Sequence, residues 1–301
     1  MGIGDVHAVE GVTDCYYVDT GMFEEPELGA VYIYDTDRPA IIDTGLGTNY
    51  ENILNGLEEL GIAPADLEAI LLTHIHLDHA GGAGFLIEET DADVYVHTSG
   101  KQFIVDPESL WEGTKGAVGH QIEFYVEPKP VPENRITTVE DGESIDLGDT
   151  TLDVHHAPGH AFHQVMFHDA DNQTVFAADA AGVYVPQLDS VIETSPPPGF
   201  DLEAVLEDAN AIDALDPETI CYSHFGSIAA DGRIEEYIES ITEWVEAVER
   251  KREELEDDDA VIEYFTENAD VIGVWNDTKA TGEVSMNVRG VFHYLDEKRD
   301  A

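Results

Sequence analysis

The feature that most constrains this chain is a cluster of histidine and aspartate directly after an apolar segment. Residues 69–72 are apolar, and the run Thr-His-Ile-His-Leu-Asp-His follows at positions 73–79. Side chains of a regular strand alternate between two faces, so four potential ligands in six residues cannot all point one way within it. The pattern therefore predicts a strand over residues 69–73 that ends in a loop wrapped around a metal centre.

The donor chemistry narrows the kind of metal centre. Imidazole and carboxylate groups suit zinc, iron, nickel or manganese, and the lack of cysteine near the run argues against a structural zinc site. Gly81 and Gly82 let the chain turn tightly behind the ligands. The alternative, a coincidental surface cluster, is disfavoured because the run comes directly after an apolar strand.

Four further elements accompany this run along the chain. They are Ile-Ile-Asp-Thr-Gly at 41–45, Ala-Pro-Gly-His at 157–160, Phe-Ala-Ala-Asp at 176–179 and Cys-Tyr-Ser-His-Phe-Gly at 221–226. With the histidine run, these elements resemble those of the metallo-β-lactamase superfamily. The gaps of 81, 19 and 45 residues from His79 through His160 and Asp179 to His224 look like those of the glyoxalase II-type hydrolases.

The resemblance implies an α+β fold, a four-layer αβ/βα sandwich with the site at one edge of two packed sheets. It implies seven ligands for two divalent metal ions, zinc being expected and iron or manganese the alternatives. The ligands are His74, His76 and His160 for the first ion, Asp78, His79 and His224 for the second, and Asp179 bridging both. Asp43 is expected to orient a ligand histidine rather than bind metal. Asp78 and Asp43 are the predicted catalytic residues, with Asp78 placed to take or relay a proton.

Two side chains near these elements are weaker candidates for substrate contacts. His163 follows His160 by three residues, and it is either directed at the site or an ordinary half-buried histidine. Tyr184 could donate a hydrogen bond to a developing oxyanion. A role as a packed wall residue is favoured for Tyr184, because tyrosine commonly packs its ring and bonds its hydroxyl. The run Ser-Pro-Pro-Pro-Gly at 195–199 is either a stiff rim of the pocket or a connector.

The remaining pattern predicts how the chain is organised. Strands and helices alternate up to residue 97, residues 101–132 are irregular and could cover the site, and short strands follow from residue 136. Helical spacing of apolar residues predicts helices over 233–255 and around 284–295. We therefore predict a catalytic domain over residues 1–230 and a helical C-terminal appendage over residues 231–301. The apolar stripe of 233–255 indicates packing, with a homodimer interface as the alternative.

The charge of the chain constrains its solvent more than its substrate. Sixty-five acidic residues face thirteen basic ones, for a net charge of −52, and they are mixed with apolar segments rather than gathered in a disordered tail. Such self-repulsion opposes compaction at ordinary ionic strength, whereas molar salt shortens the Debye length to about 3 Å. We expect a host with molar salt in its cytoplasm, a halophilic archaeon or bacterium. A nucleic-acid mimic is the alternative, without other support.

The same composition bears on location and partners. No window approaches 18 consecutive apolar residues, the first residues lack a secretory pattern, and two cysteines suit a reducing compartment. We therefore expect a cytoplasmic protein with no membrane contact. The chain has no basic or glycine-rich arm for phosphate binding, which disfavours the nucleases of the superfamily and any nucleic-acid partner. The expected partner is a small-molecule ester or thioester.

The resemblance also implies an activity, a dinuclear hydrolase that attacks an ester-like carbonyl with a metal-bound hydroxide. Two cations about 3.5–4 Å apart produce hydroxide near neutral pH, and the chain has no G-x-S-x-G motif that would supply a serine nucleophile. Thioester hydrolysis like that of glyoxalase II is the specific prediction. The alternatives are a lactonase, and a mononuclear-iron persulfide dioxygenase on the same fold. Flavodiiron proteins are disfavoured because they typically carry Glu where His76 stands here.

Overall fold

Two β-sheets pack against each other in this protein, whose computed structural model describes residues 1–300; Ala301 lies outside the described residues. In spatial order, the strands of the first sheet are β1 (Val6–Ala8), β2 (Cys15–Asp19), β3 (Ala30–Tyr34), β4 (Ala40–Ile42), β5 (Ala69–Leu71), β6 (Asp93–His97) and β7 (Ile136–Val139). Neighbours from β1 to β4 are antiparallel, and neighbours from β4 to β7 are parallel. Strands β3 and β4 are consecutive along the chain and pair as a hairpin.

The second sheet is built from later parts of the chain. Its strands are β8 (Ser144–Asp146), β9 (Thr151–His156), β10 (Val165–Asp169), β11 (Thr174–Phe176), β14 (Thr219–Tyr222) and β15 (Gly226–Ala229). They lie in the order β15-β14-β11-β10-β9-β8, and β11 and β14 are parallel. A separate two-stranded ribbon joins β12 (Val183–Val185) to β13 (Ser190–Ile192).

Helices accompany both sheets. They are α1 (Tyr50–Glu59), α2 (Leu77–Ala80), α3 (Ala83–Glu89), α4 (Lys101–Val105), α5 (Glu108–Val118), α6 (Leu202–Ala214), α7 (Arg233–Leu255), α8 (Asp258–Asn268) and α9 (Asp277–Asp300). Short 3-10 helices span Met22–Glu24, Pro64–Asp66, Gly119–Phe124 and Glu133–Arg135. Within residues 1–300, no helix is both long and apolar enough to cross a membrane.

Three apolar clusters produce a layered architecture. One lies between the sheets, where the rings of Tyr32 and Phe176 meet with centroids 5.1 Å apart. A second joins the first sheet to α1 and α3, through residues such as Ile53 and Leu86. The third joins the second sheet to the later helices. Helix, sheet, sheet and helix layers follow one another, so the predicted four-layer sandwich of the α+β class is confirmed.

The C-terminal helices are packed closely onto the rest of the chain. The apolar stripe of α7, including Tyr237 and Ile241, is buried in the same cluster as residues of the second sheet. On α9, Asn287 accepts a hydrogen bond from the Ser195 backbone at 2.9 Å, and a Cβ at Gly290 would overlap the Ser195 carbonyl oxygen. The division of the chain between residues 230 and 231 stays a prediction, and so does a homodimer, although residues on both sides share one core.

Several local expectations can be compared with the structure. The side chain of Asp201 caps α6 by accepting from the Ala204 backbone N–H. The strand expected over residues 69–73 ends at Leu71. The last helix begins at Asp277 rather than near residue 284, because the side chain of Asn276 accepts from the Lys279 backbone at 2.9 Å and caps it. Helix α8 was not predicted.

Candidate metal centre

The candidate metal centre lies where strand ends from both sheets meet. The side chains of the centre come from four strand ends and one connecting loop. Asp43 follows β4, His74–His79 follow β5, Asp179 follows β11 and His224 follows β14. His160 lies between β9 and β10. Because β4 and β5 are parallel neighbours, as are β11 and β14, each pair delivers its donors to a common edge.

One group of donors consists of three histidines. Nε2 of His74 lies 3.0 Å from Nδ1 of His76, and Nε2 of His160 lies 3.1 Å from the same Nδ1 atom. All three donor atoms lie within 4.8 Å of one another, a spacing that allows one metal ion to be held. This group is the set that the resemblance implies for the first ion.

A second group lies beside the first. Nε2 of His224 is 3.2 Å from Nε2 of His79 and 3.6 Å from Oδ2 of Asp78. These donors also lie within 4.8 Å of one another. They are the set that the resemblance implies for the second ion.

Asp179 lies between the two groups. Its Oδ2 atom is 3.1 Å from Nε2 of His160 and 3.5 Å from Nε2 of His79, and its Oδ1 atom is 3.8 Å from Nε2 of His224. One carboxylate therefore reaches histidines of both groups. The structure brings all seven predicted ligands together, with Asp179 at the position expected of a bridge.

The donor atoms fit bound cations. Oδ1 of Asp179 is buried and has no hydrogen-bond partner among the described residues. An ionised carboxylate is unfavourable in a buried site unless positive charge compensates it. Nitrogen and oxygen donors without thiolates suit zinc, iron or manganese. The residues present therefore fit a metal centre of the kind that the sequence predicts.

The protonation states of His74, His160 and Asp179 agree with this assignment. Burial lowers the pKa of His160 to about 3 and holds the pKa of His74 well below its ordinary value, so both rings are neutral near pH 7. His79 differs: burial opposes its protonation, but the carboxylates of Asp179 and Asp43 raise its pKa well above the ordinary value, so a cation bound there would displace a proton from this ring. Despite burial, the nearby histidines keep the pKa of Asp179 below its usual range. Neutral imidazoles and ionised carboxylates are the forms that bind cations.

The carboxylate of Asp43 contacts several side chains around this centre and orients His79. Its Oδ1 atom accepts from the Thr73 backbone N–H at 2.9 Å and from the Thr73 hydroxyl at 2.8 Å. Its Oδ2 atom accepts from the Ser223 hydroxyl at 2.8 Å and lies 2.8 Å from Nδ1 of His79. The carboxylate thus ties three strand ends together and directs Nε2 of His79 toward the other donors. This geometry agrees with the orienting role expected for Asp43.

Backbone packing fixes the loops that carry the ligands. A Cβ at Gly82 would overlap the carbonyl oxygen of Thr44, and one at Gly81 would overlap that of Leu77. Both glycines have helical φ values, so they allow close approach rather than an unusual backbone conformation. Asp208 accepts from the Gly159 backbone N–H at 2.7 Å and so holds the turn before His160.

The two weaker candidates are placed differently. His163 is buried beside the centre, with its ring stacked 6.1 Å from that of His74, and it lines the adjoining cavity. Tyr184 lies outside the described cavity lining, and its hydroxyl donates to Asp189 at 3.1 Å. The backbone N–H of Tyr184 instead donates a hydrogen bond to the carbonyl oxygen of His224 at 2.6 Å and so stabilises the turn at His224. This geometry agrees with the packed role favoured for Tyr184 rather than with a substrate contact.

A cavity of ≈ 340 Å³ opens onto the metal centre. Residues 101–132 form one side of it through Phe103 and Leu110, so this segment does cover the site, and prolines 196–198 rim it. The expectation that the segment is irregular was wrong, because α4, α5 and a 3-10 helix make up most of residues 101–124. Sequence reasoning missed Tyr125, Lys279 and Glu283, which also line this cavity. Lys279 and Glu283 are four residues apart, a spacing typical of an ion pair on a helix. The place of this pair in the cavity wall depends on how α9 packs, which the sequence does not show.

A comparison with protein families identifies the architecture. Residues 25–224 match the family model of the metallo-beta-lactamase superfamily. A metallo-beta-lactamase fold-containing protein of Sulfurisphaera tokodaii is 25% identical over 217 residues, which cover 70% of this chain and 78% of that protein. An acyl-coenzyme A thioesterase of Gallus gallus is 26% identical over 183 residues, which cover 54% of this chain and 61% of that protein.

Solved structures give the same result. An archaeal metallo-beta-lactamase superfamily protein from Sulfolobus tokodaii superposes with a TM-score of 0.73 at 23% identity, over 93% of this chain and 99% of that one. A metallo-beta-lactamase family protein from Thermus thermophilus superposes with a TM-score of 0.61 at 22% identity, over 96% and 95%. The family match covers all seven donor positions. This chain therefore belongs to the metallo-beta-lactamase superfamily.

Proposed function

We propose that this protein is a dinuclear metal-dependent hydrolase of ester-like carbonyl compounds, with a thioester as the preferred substrate. The observation that carries the proposal is the convergence of seven nitrogen and oxygen donors beside a cavity. The superfamily consists in general of metal-dependent hydrolases. Two zinc ions per chain are the proposed cofactors.

Different residues of the chain would hold the metal ions and accept a proton at this site. When bound, two such cations supply an activated water near neutral pH and polarise a carbonyl oxygen. His74 and His79 are sealed from solvent, whereas Asp78 keeps part of its carboxylate toward the cavity. Burial opposes ionisation of Asp78, but His224 and His79 hold its pKa well below the usual range. Asp78 is thus an ionised carboxylate that can accept a proton beside an incoming substrate.

The choice of a thioester has two supports. The motif spacing resembles that of glyoxalase II-type hydrolases, and a relative from Gallus gallus is an acyl-coenzyme A thioesterase. A thiolate is also a good leaving group, so the site needs no strong general acid beside it.

The lining includes Tyr125, whose pKa is raised well above the ordinary value by burial and by the Asp78 carboxylate. Its hydroxyl therefore stays protonated and can donate a hydrogen bond.

The proposal is tested by metal analysis paired with a substrate panel. Protein is purified without added metal, its metal content is measured by mass spectrometry, and thioester, lactone and phosphodiester substrates are assayed. Two divalent ions per chain and a preference for the thioester are expected. A single iron with oxygen consumption and no hydrolysis would instead identify a dioxygenase, and a preference for the cyclic ester would identify a lactonase.

A further inference from the structure

Resting on the proposed function, we propose that the substrate's acyl group carries an uncharged apolar arm that lies in the cavity beside the metal centre. The cavity of ≈ 340 Å³ is continuous with the donor groups, because His76, Asp78 and His224 form part of its wall. A carbonyl carbon held at the centre therefore leaves the rest of the acyl group directed into this space. A volume of this order is typical of small-molecule sites.

The wall of the cavity is built mainly from apolar side chains of several elements. These include Leu28, Leu77, Phe103, Leu110, Val118 and Met286. Prolines 196–198 add a stiff apolar surface, held in place by the hydrogen bonds between Ser195 and Asn287. Such a wall stabilises methylene or aromatic groups by removing them from water.

The charges of the cavity wall are paired. Apart from the metal-site groups, the charged side chains among the described lining residues are Lys279 and Glu283. Nζ of Lys279 lies 2.6 Å from Oε2 of Glu283, and both side chains are less than a tenth exposed. The pair presents no free cation to a carboxylate or phosphate on the acyl arm. A charged arm would be buried without a partner, which is strongly unfavourable.

The mouth of the cavity has the same character. Phe162 lines the cavity, yet 53% of its surface is exposed, and its ring lies 6.4 Å from that of Phe103. In a chain of net charge −52, an exposed aromatic side chain at the entrance to an apolar cavity provides a contact for an apolar substrate.

The first test is an acyl series with one common thiol leaving group. The value of kcat/KM is expected to rise about fourfold per methylene from acetyl upward, and then to fall once the cavity is full. An acyl chain of equal length that ends in a carboxylate is expected to react at least about tenfold more slowly. A flat series, or equal rates for the neutral and carboxylate chains, would overturn the inference while leaving the proposed function intact.

Two glycines of α5 provide a matched pair of variants. Gly113 lines the cavity and Gly116 is outside the described lining, and a Cβ at either position meets no atom within 4 Å. Both substitutions also favour the helix. In Gly113→Phe, the ratio of kcat/KM for octanoyl to that for acetyl substrate is expected to fall at least tenfold, whereas Gly116→Phe leaves this ratio unchanged. Equal ratios in the two variants would contradict the assigned position of the arm.

A binding measurement separates this inference from the proposed reaction. If no member of the series is hydrolysed, the proposed function fails, and calorimetry with neutral alcohols then tests the cavity alone. Octanol is expected to bind more tightly than hexanol, by about fourfold per methylene, and Gly113→Phe to weaken the binding of octanol. Absence of any binding by either alcohol would overturn the apolar cavity as well.

Discussion

Replacement of Asp43 by asparagine tests the orienting role of this side chain. Asp43 contacts the proposed ligand His79 but is not one of the seven proposed ligands. Asp43 has a φ of 64°, in the left-handed region, which asparagine also tolerates. The variant therefore keeps the backbone and the side-chain shape. It removes the negative charge and one acceptor oxygen, so either Thr73 or His79 loses its present partner.

The size of the effect follows from the bonds that change. The contact between Oδ2 of Asp43 and Nδ1 of His79 is 2.8 Å long and involves an ionised acceptor. Hydrogen bonds to charged groups contribute about 1.5–3 kcal/mol. Loss of this contribution corresponds to about 10- to 100-fold in metal affinity or activity, which is the range typical of such orienting partners. At saturating metal, the metal content of Asp43→Asn should be largely retained.

The assay measures metal affinity by competition with a chelator, and kcat/KM at saturating metal. Ser223→Ala is the matched control, because it removes a neutral donor to the same Oδ2 atom while the carboxylate and its contact with His79 stay in place. Its effect is expected to stay within about tenfold. Asp43→Asn with unchanged affinity and unchanged turnover would refute the reasoning, as would an equal effect of Ser223→Ala.

Four further predictions concern the bridge, the solvent, the C-terminal helices and one buried acid. Asp179→Ala leaves two facing cations less compensated, so metal content and hydrolysis should both fall; two metals per chain with normal turnover would show that the dinuclear assignment is wrong. The net charge of −52 predicts that the protein is folded only at high salt, and a melting midpoint by circular dichroism that does not change from low to molar KCl would contradict this. Truncation at Gly232 removes helices that share the core of the second sheet, so the product should be insoluble or indifferent to substrate; a soluble product with intact kinetics would show the helices to be dispensable. Burial raises the pKa of Asp208 to about 6, so its contribution to stability is lost as pH rises through about 6. Asp208→Asn, which can still accept from Gly159, should raise the unfolding free energy at pH 7 by up to about 3 kcal/mol and leave it unchanged below about pH 4, as thermal melts across this range would test.

Much of the site could be predicted from the sequence because its signals are local. The ligands in the run from His74 to His79 follow an apolar strand within a few residues, and the structure brings them together. Asp201 caps a helix through a backbone group three residues away, so its role was also visible in the sequence.

Other features depend on which distant elements meet. The contact of Asp43 with Ser223 joins positions 180 residues apart, and the hydroxyl of Tyr184 turns to Asp189 rather than to the cavity. The ion pair of Lys279 and Glu283 has a local spacing, yet its place in the cavity wall follows from how α9 packs.

The amino-acid sequence by itself determined which side chains could bind metal and at which strand ends they lie. Periodicity and short motifs report such relations within about one turn or one strand. Only the tertiary structure decided what surrounds the metal centre, because the cavity is lined by segments from Leu28 to Met286 that packing brings together. The position of a side chain relative to such distant neighbours is set by the fit of whole layers, which no local pattern encodes.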